Sequence, residues 1–421
     1  MTGLLLLIIA LIGVTVLEIL ADALNLISAR SGLPAEFSSQ WSAADYDRAT
    51  AYRQDKTRLR LLVDSVNLLG LVLVLVGDLF GFLDRHLASL CAHPIGQGLL
   101  FMSACAMVAS VLDLPFSLYQ TFVIERRHGF NRITPRTFIL DLVKGWVLTA
   151  VLGLPLIAGV FWFFLAFPHS AWLWAWGFTS LIQLFILYLA PVVIAPWFNR
   201  FTPLPEGDLR DRIAAYAARE NFRIRGVYTM DGSQRSTKAN AYFCGFGRFR
   251  RIVLFDTLIQ KFTPDEILTV VAHEMGHFKL RHIPIVIAQA LGVNAITFLI
   301  LAGCIGSAPI THTLGFDHPS LHAGLMATLI FLIPVTLPLK LLNNLLSRRH
   351  EYQADAYAAQ TTGQPEILGQ ALIKLTRDHL ADLTPHPLKV LLDYSHPPIL
   401  ARLKALAKRT QPPAYPSSRS P

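Results

Sequence analysis

The chain has 421 residues, 53% of them hydrophobic and only 15% charged, with a formal net charge of +9. Soluble globular chains carry about 25% charged residues, so this composition excludes an ordinary soluble enzyme and points to apolar blocks that cross a bilayer. The positive balance would suit nucleic acid, but no nucleic-acid motif accompanies it; basic cytoplasmic loops account for it, and no nucleic-acid partner is expected.

In chain order, the first apolar block, 3–27, lacks a basic leader and a small-residue cleavage site, and reads as a retained transmembrane helix rather than a signal peptide. Further blocks at 61–82, 99–123, 147–167, 171–198, 284–305 and 323–346 bring the expected spans to about seven. The segment after the first span carries Arg48, Arg53, Lys56, Arg58 and Arg60, and the one after the third carries Arg126, Arg127, Arg132 and Arg136. The segment after the fifth includes Arg210, Arg212, Arg250 and Arg251, and the seventh is followed by Arg348 and Arg349. The intervening loops are nearly bare of Lys and Arg. The positive-inside rule then places the N-terminus outside and the C-terminus in the cytoplasm. Five acids fall inside spans: Glu18, Asp22, Asp64, Asp78 and Asp113. Each costs at least about 2.5 kcal/mol at mid-bilayer if it faces lipid unpaired, so they either pair within the bundle or line a wet interior. The four cysteines, Cys91, Cys105, Cys244 and Cys304, form no CxxC pair and suggest neither a disulfide framework nor a cysteine metal site.

This divides the chain into a five-span membrane region, 1–198, and a water-facing domain, 199–410, interrupted by a two-span hairpin at 284–346. The tail 411–421, rich in Pro and Ser, reads as disordered.

The sharpest local feature is His273-Glu274-Met275-Gly276-His277. Histidines at i and i+4 share one helix face and suit two ligands on one Zn²⁺, while the Glu between them can take a proton from an activated water. Thr263-Pro264-Asp265-Glu266 is a capping box with Pro at the first helical position, so the motif lies on a well-started helix that should end near His282, before Pro284 opens the sixth span. Leu280 and Ile283 occupy the positions where a metzincin would place Gly and His, which excludes that class. The other route to a third ligand is a downstream Glu. Glu351 and Asp355, i and i+4 beyond the seventh span, fit that role, Glu351 as ligand and Asp355 as acceptor of a ligand histidine's free ring N–H. His350 is a competing ligand on a different face, and a charged helix end is the plainer reading of the same segment.

At this point the chain resembles the integral-membrane zinc CAAX prenyl endopeptidases of the a-factor-converting type, of which the HtpX proteases are shorter relatives. The resemblance rests on Arg127-His128-Gly129-Phe130-Asn131, on the run from Arg235 to Phe243, on Ile252 to Leu258, on the HEMGH helix, on Glu351 to Asp355, and on Ser395-His396-Pro397-Pro398 with Arg402. It implies that His273, His277 and Glu351 bind one zinc and that Glu274 is the general base. It also implies that Asn240, Ala241 and Tyr242 lie on an edge strand that holds substrate backbone by strand addition, and that His396 and Arg402 steady the oxyanion. It further implies a water-filled chamber within the spans. The strand has independent support: 239–243 and 252–255 are β-prone runs about Gly245-Phe246-Gly247, a hairpin signal. His396, read alone, is a turn residue before two prolines. Lys238 stands where the family usually has His.

The expected fold is therefore mainly α: a polytopic membrane protein with about seven transmembrane helices and a cytoplasmic gluzincin-type zinc protease domain containing a small β-hairpin or sheet. Expected partners are the lipid bilayer and peptide or protein substrates, prenylated or membrane-borne. The competing functions are a quality-control protease of HtpX-like role, a site-2-type intramembrane protease, and a transporter that would use the intramembrane acids. A composition rich in Ala, Leu and Arg favours a bacterial plasma membrane, with the ER membrane as the eukaryotic counterpart.

Overall fold

A computed structural model describes residues 2–28, 32–38, 40–245 and 250–410. The tail 411–421 and most of the expected turn at Gly245-Phe246-Gly247 lie outside the described residues.

Among the described residues, seven helices are long and apolar enough to cross a membrane: Thr2–Ser28, Ala43–Val76, Pro94–Glu125, Pro135–Ala166, Ala171–Phe198, His282–Cys304 and Leu321–Thr362. The second differs from expectation at both ends. It begins at Ala43, because the basic stretch before the apolar block is rich in Ala and Arg, both strong helix formers. It stops at Val76 rather than running to 82, because Asp78 takes a left-handed conformation (φ 55°) before a separate helix, Leu79–Ala88. An Asp tolerates that conformation better than most residues, and its carboxylate meets Arg85 at 2.8 Å. The seventh is also longer than expected. It runs unbroken for 42 residues through Glu351 and Asp355, despite Pro334 and Pro338.

The chain forms two compact units. The first comprises residues up to Ala23, Asp55–Ile194 and Ile285–Leu341. Its interior includes Phe101 and Phe316, whose rings lie 5.4 Å apart. Acids in or beside its spans face cations: Glu18 and Lys340 at 3.6 Å, Asp22 and Arg60 at 3.6 Å, and Asp78 with Arg85. Pairing offsets the cost of burying such charges.

The second unit comprises Leu24–Gln54, Ala195–Pro284 and the residues from Leu342 onward. It holds a four-stranded sheet of β1 (Phe201–Pro203), β2 (Gly226–Met230), β3 (Ala241–Cys244) and β4 (Arg251–Phe255), in the order β1-β2-β4-β3. β2 and β4 are parallel and the other pairs antiparallel, with Ala241 opposite Leu254 in the β3–β4 ladder. β3 is therefore an edge strand. Alternation sends Ile252 and Leu254 of β4 into a core with Leu258, Ile267, Val270 and Val271. The last three lie on the helix Pro264–Lys279, whose start is built as its sequence demands. Thr263 Oγ1 accepts from the Glu266 N–H, and the Glu266 carboxylate accepts from the Thr263 N–H at 2.8 Å.

Candidate active site

The helix Pro264–Lys279 buries its apolar side against β4 and turns His273, Glu274 and His277 toward the helix that carries Glu351. The Nε2 atoms of His273 and His277 lie 3.3 Å apart. Glu351 Oε2 is 3.5 Å from His273 Nε2, and Glu351 Oε1 is 3.4 Å from His277 Nε2. Four ligands at about 2.0–2.2 Å around one tetrahedral ion stand about 3.3–3.6 Å from one another; the three separations fall in that range, the two to Glu351 using different oxygens of its carboxylate. Glu351 is buried, and its Oε2 makes no hydrogen bond. The Arg402 guanidinium faces it with Nη1 at 3.4 Å, outside hydrogen-bond geometry, and a metal ion at this spot would give it a direct partner. The donor set, two imidazoles and a carboxylate, suits zinc.

Asp355 lies one turn beyond Glu351 and is equally buried. Its Oδ1 stands 2.9 Å from His273 Nδ1. A proton held there leaves the lone pair of His273 on Nε2, facing Glu351 and His277. Arg402 grips Asp355 from the other side, Nε to Oδ2 at 2.8 Å and Nη2 to Oδ1 at 2.6 Å. The same guanidinium places Nη1 3.4 Å from Glu351 Oε2. Burial works against the charge of Arg402, but the pairing with Asp355 holds its pKa above the ordinary value. Burial likewise works against a charged His273, yet Asp355 and Glu351 outweigh it and raise the imidazole to about 9. Glu274 is half-buried; burial pushes its carboxyl up, against the pull of His273 and His277.

A cavity of about 440 Å³ opens over these groups, with His273, Glu274 and Glu351 on its floor and Ala239, Asn240 and Ala241 along one side. Val270, Leu368, Leu372 and Leu375 form an apolar wall, and His396 stands at the rim. His396 Nε2 is 3.4 Å from Glu351 Oε1, with the side chain 65% exposed.

The structure thus brings together nine of the ten residues singled out by sequence. The tenth, Tyr242, lies on edge strand β3 beside Ala241 but turns its side chain off the cavity. Successive strand residues point to opposite faces, so with Ala241 on the cavity, Tyr242 turns to Met230 and Phe255 instead. Arg402 differs in another way: its guanidinium is committed to two carboxylates rather than free beside the opening. Sequence reading missed His379 and Asp378, which lie outside every motif. His379 Nε2 donates to the Ala239 carbonyl at 2.8 Å, and Asp378 accepts from the Ala239 N–H at 2.9 Å. Together they pin the residue that leads into β3. Lys238 donates to the Tyr52 hydroxyl at 2.8 Å, an anchoring contact on a segment distant in sequence.

The family model described as CAAX prenyl protease N-terminal, five membrane helices, matches residues 23–200, and that of peptidase family M48 matches residues 203–410. The CAAX prenyl protease 1 homolog of Oryza sativa subsp. japonica is 37% identical over 386 residues, covering 89% of this chain and 90% of the relative. CAAX prenyl protease 1 of Saccharomyces cerevisiae is 30% identical over 401 residues, covering 89% of this chain and 88% of the relative. The crystal structure of Ste24p from S. mikatae superimposes with a TM-score of 0.91 at 28% identity, covering 96% of this chain and 98% of the other.

Proposed function

From its membership of peptidase family M48, in the CAAX prenyl protease branch, as a multi-pass membrane protease, we propose that this chain is a zinc metalloendopeptidase that removes C-terminal tripeptides from prenylated CAAX proteins. His273, His277 and Glu351 hold the ion, and Glu274 is the general base. The observation that carries this reading is the set of three separations, 3.3, 3.4 and 3.5 Å, among the facing atoms of His273, His277 and Glu351. In this reading the five-span region, 1–198, is a membrane module joined to a protease domain at 199–410.

Zinc, when bound, supplies a Lewis acid that polarises a carbonyl and lets water lose a proton near neutral pH. Glu274 receives that proton on its carboxylate and passes it to the leaving amine. Its raised pKa suits both halves of the task, since a base too weak would not take the proton and one too strong would not return it. Asp355 orients His273, and Arg402 holds Asp355, so Arg402 is a positioning residue in this reading rather than a donor to the oxyanion. His396, exposed at the rim, is left to meet the developing charge on the substrate oxygen. Substrate backbone lies along the free edge of β3 beside Asn240 and Ala241.

The test is cleavage by the chain reconstituted in lipid vesicles. A farnesylated peptide ending in a CAAX sequence should lose its last three residues in a chelator-sensitive reaction and outcompete the same peptide without the prenyl group. Equal kcat/KM for the two would sink the proposed specificity, and insensitivity to chelators would sink the metal mechanism.

Asp355→Ala should weaken zinc affinity by about 10–100-fold without abolishing binding, as removal of an orienting partner does elsewhere. Titration against a chromophoric chelator measures this. A loss as complete as that of His273→Ala would make Asp355 itself a ligand.

The basic segments also support an orientation with the N-terminus outside and the protease domain facing the cytoplasm. Single cysteines at His318 and at Glu206, both exposed, in a chain stripped of its four native cysteines, should react differently with a membrane-impermeant thiol reagent on intact cells. Labelling is expected at position 318 only. Labelling at 206 from outside inverts the orientation.

A further inference from the structure

His273 has a carboxylate behind its ring, and His277 has none. Its Nδ1 instead lies 3.0 Å from Nδ1 of His282. The other nitrogen of His282, Nε2, lies 3.0 Å from Oε1 of Gln353. His282 is 3% exposed, and its ring lies flat against that of His350, with centroids 4.0 Å apart and planes at 11°. His282 is thus buried and packed between half-buried His277 and an exposed Gln353, and the mechanism above makes no use of His282 or Gln353.

A contact between two Nδ1 atoms holds one proton, and the neighbours decide which ring carries it. For His277 to offer a lone pair from Nε2, its proton must sit on Nδ1. His282 must then accept on its own Nδ1, which puts the His282 proton on Nε2. Gln353 must in turn present its carbonyl rather than its amide group, and Oε1 is the atom found there. The three requirements agree. The reverse arrangement would place a proton on His277 Nε2, where the ligand lone pair has to be.

The backbone is bent to make this contact. The helix of the HEMGH motif ends at Lys279, and Arg281 takes a left-handed conformation, φ 59°, before the next helix starts at His282. A left-handed, non-glycine residue of this kind is strained and persists where the surroundings require it. Here the bend brings His282 back beneath His277, five residues earlier.

We propose that His282, aligned by Gln353 and clamped by the His350 ring, is the positioning residue for His277, setting its tautomer and ring plane for the metal. A neutral relay suits this side of the site. A second buried carboxylate would need its own cation, as Asp355 needs Arg402. The inference rests on the reading of His277 as a ligand.

The test is zinc affinity of the full-length chain in lipid nanodiscs, by competition with a chromophoric chelator, with the thermal melt of the metal-free protein as the check on folding. His282→Phe keeps a flat ring against His350 and removes the acceptor. Gln353→Met keeps side-chain length and removes the distal acceptor. His282→Asn returns an oxygen near the place of Nδ1. His282→Phe should weaken zinc by about 10–100-fold, Gln353→Met should shift it in the same direction by less, and His282→Asn should recover most of the loss. Parent affinity in His282→Phe overturns the proposal, as does a loss that His282→Asn fails to recover, which would be a packing effect. Should His282→Phe not fold, parent affinity in Gln353→Met overturns it. His277→Ala separates the two levels. Zinc retained in that variant removes the ligand reading itself, whereas zinc lost there and unaltered in His282→Phe and Gln353→Met removes the relay alone.

Discussion

Glu274→Gln should lower peptide cleavage by about 100-fold or more while the chain keeps its metal. The amide matches the carboxylate in shape, so the helix, the cavity floor and the neighbouring imidazoles have no reason to move. What it loses is the capacity to accept a proton. Glu274 stands between the two histidines on the motif's face and lines the cavity where a scissile bond would lie. Burial raises its carboxyl pKa, which brings it nearer to that of an effective base at neutral pH than a surface glutamate would be. The measurement pairs single-turnover cleavage of a quenched peptide with metal analysis of the same preparation. Near-normal, chelator-sensitive turnover would remove Glu274 from the mechanism. Loss of metal together with activity would instead make it a structural member of the site.

Glu351→Ala should strip the metal, with a fall in zinc affinity beyond the roughly 10–100-fold that an orienting partner produces. Glu351 closes the ligand triangle, and its buried Oε2 has no hydrogen-bond donor of its own. Removing it leaves two imidazoles, too few protein ligands for a catalytic zinc site. The fold should survive, because Arg402 keeps its two-pronged pairing with Asp355. His350→Ala should lose far less, since that ring stacks on His282 and offers nothing to the triangle. Full zinc retention after Glu351→Ala would sink the assignment of the third ligand.

The features legible in the sequence are those that depend on short range. Seven apolar runs were visible because a bilayer-spanning helix must satisfy its own backbone and present some twenty lipid-compatible side chains in a row. The start of the motif helix was visible because Thr263, Pro264 and Glu266 complete a capping box within four residues. Helix ends were less legible. The break at Gly77 and Asp78 sits inside a run that is apolar on both sides, and hydropathy does not register a left-handed residue. The resemblance put Tyr242 on an edge strand with Asn240 and Ala241; it lies in β3, and only the pleat decides that its side chain faces Phe255 rather than the cavity.

What the sequence determined by itself is the membrane class, the i, i+4 placement of His273 and His277 on one helix face, and the matching i, i+4 pair of Glu351 and Asp355. Helical periodicity alone dictates these relations. How those faces meet depends on the packing of the whole chain. Glu351 stands 74 residues beyond His277, and nothing local sets the 3.4 Å between them. The same holds for the partners behind the site. Arg402 reaches Asp355 across 47 residues, and Gln353 reaches His282 across 71. Such pairs arise from packing one helix against another, where side chains distant in the chain come together and each buried polar atom must find a partner.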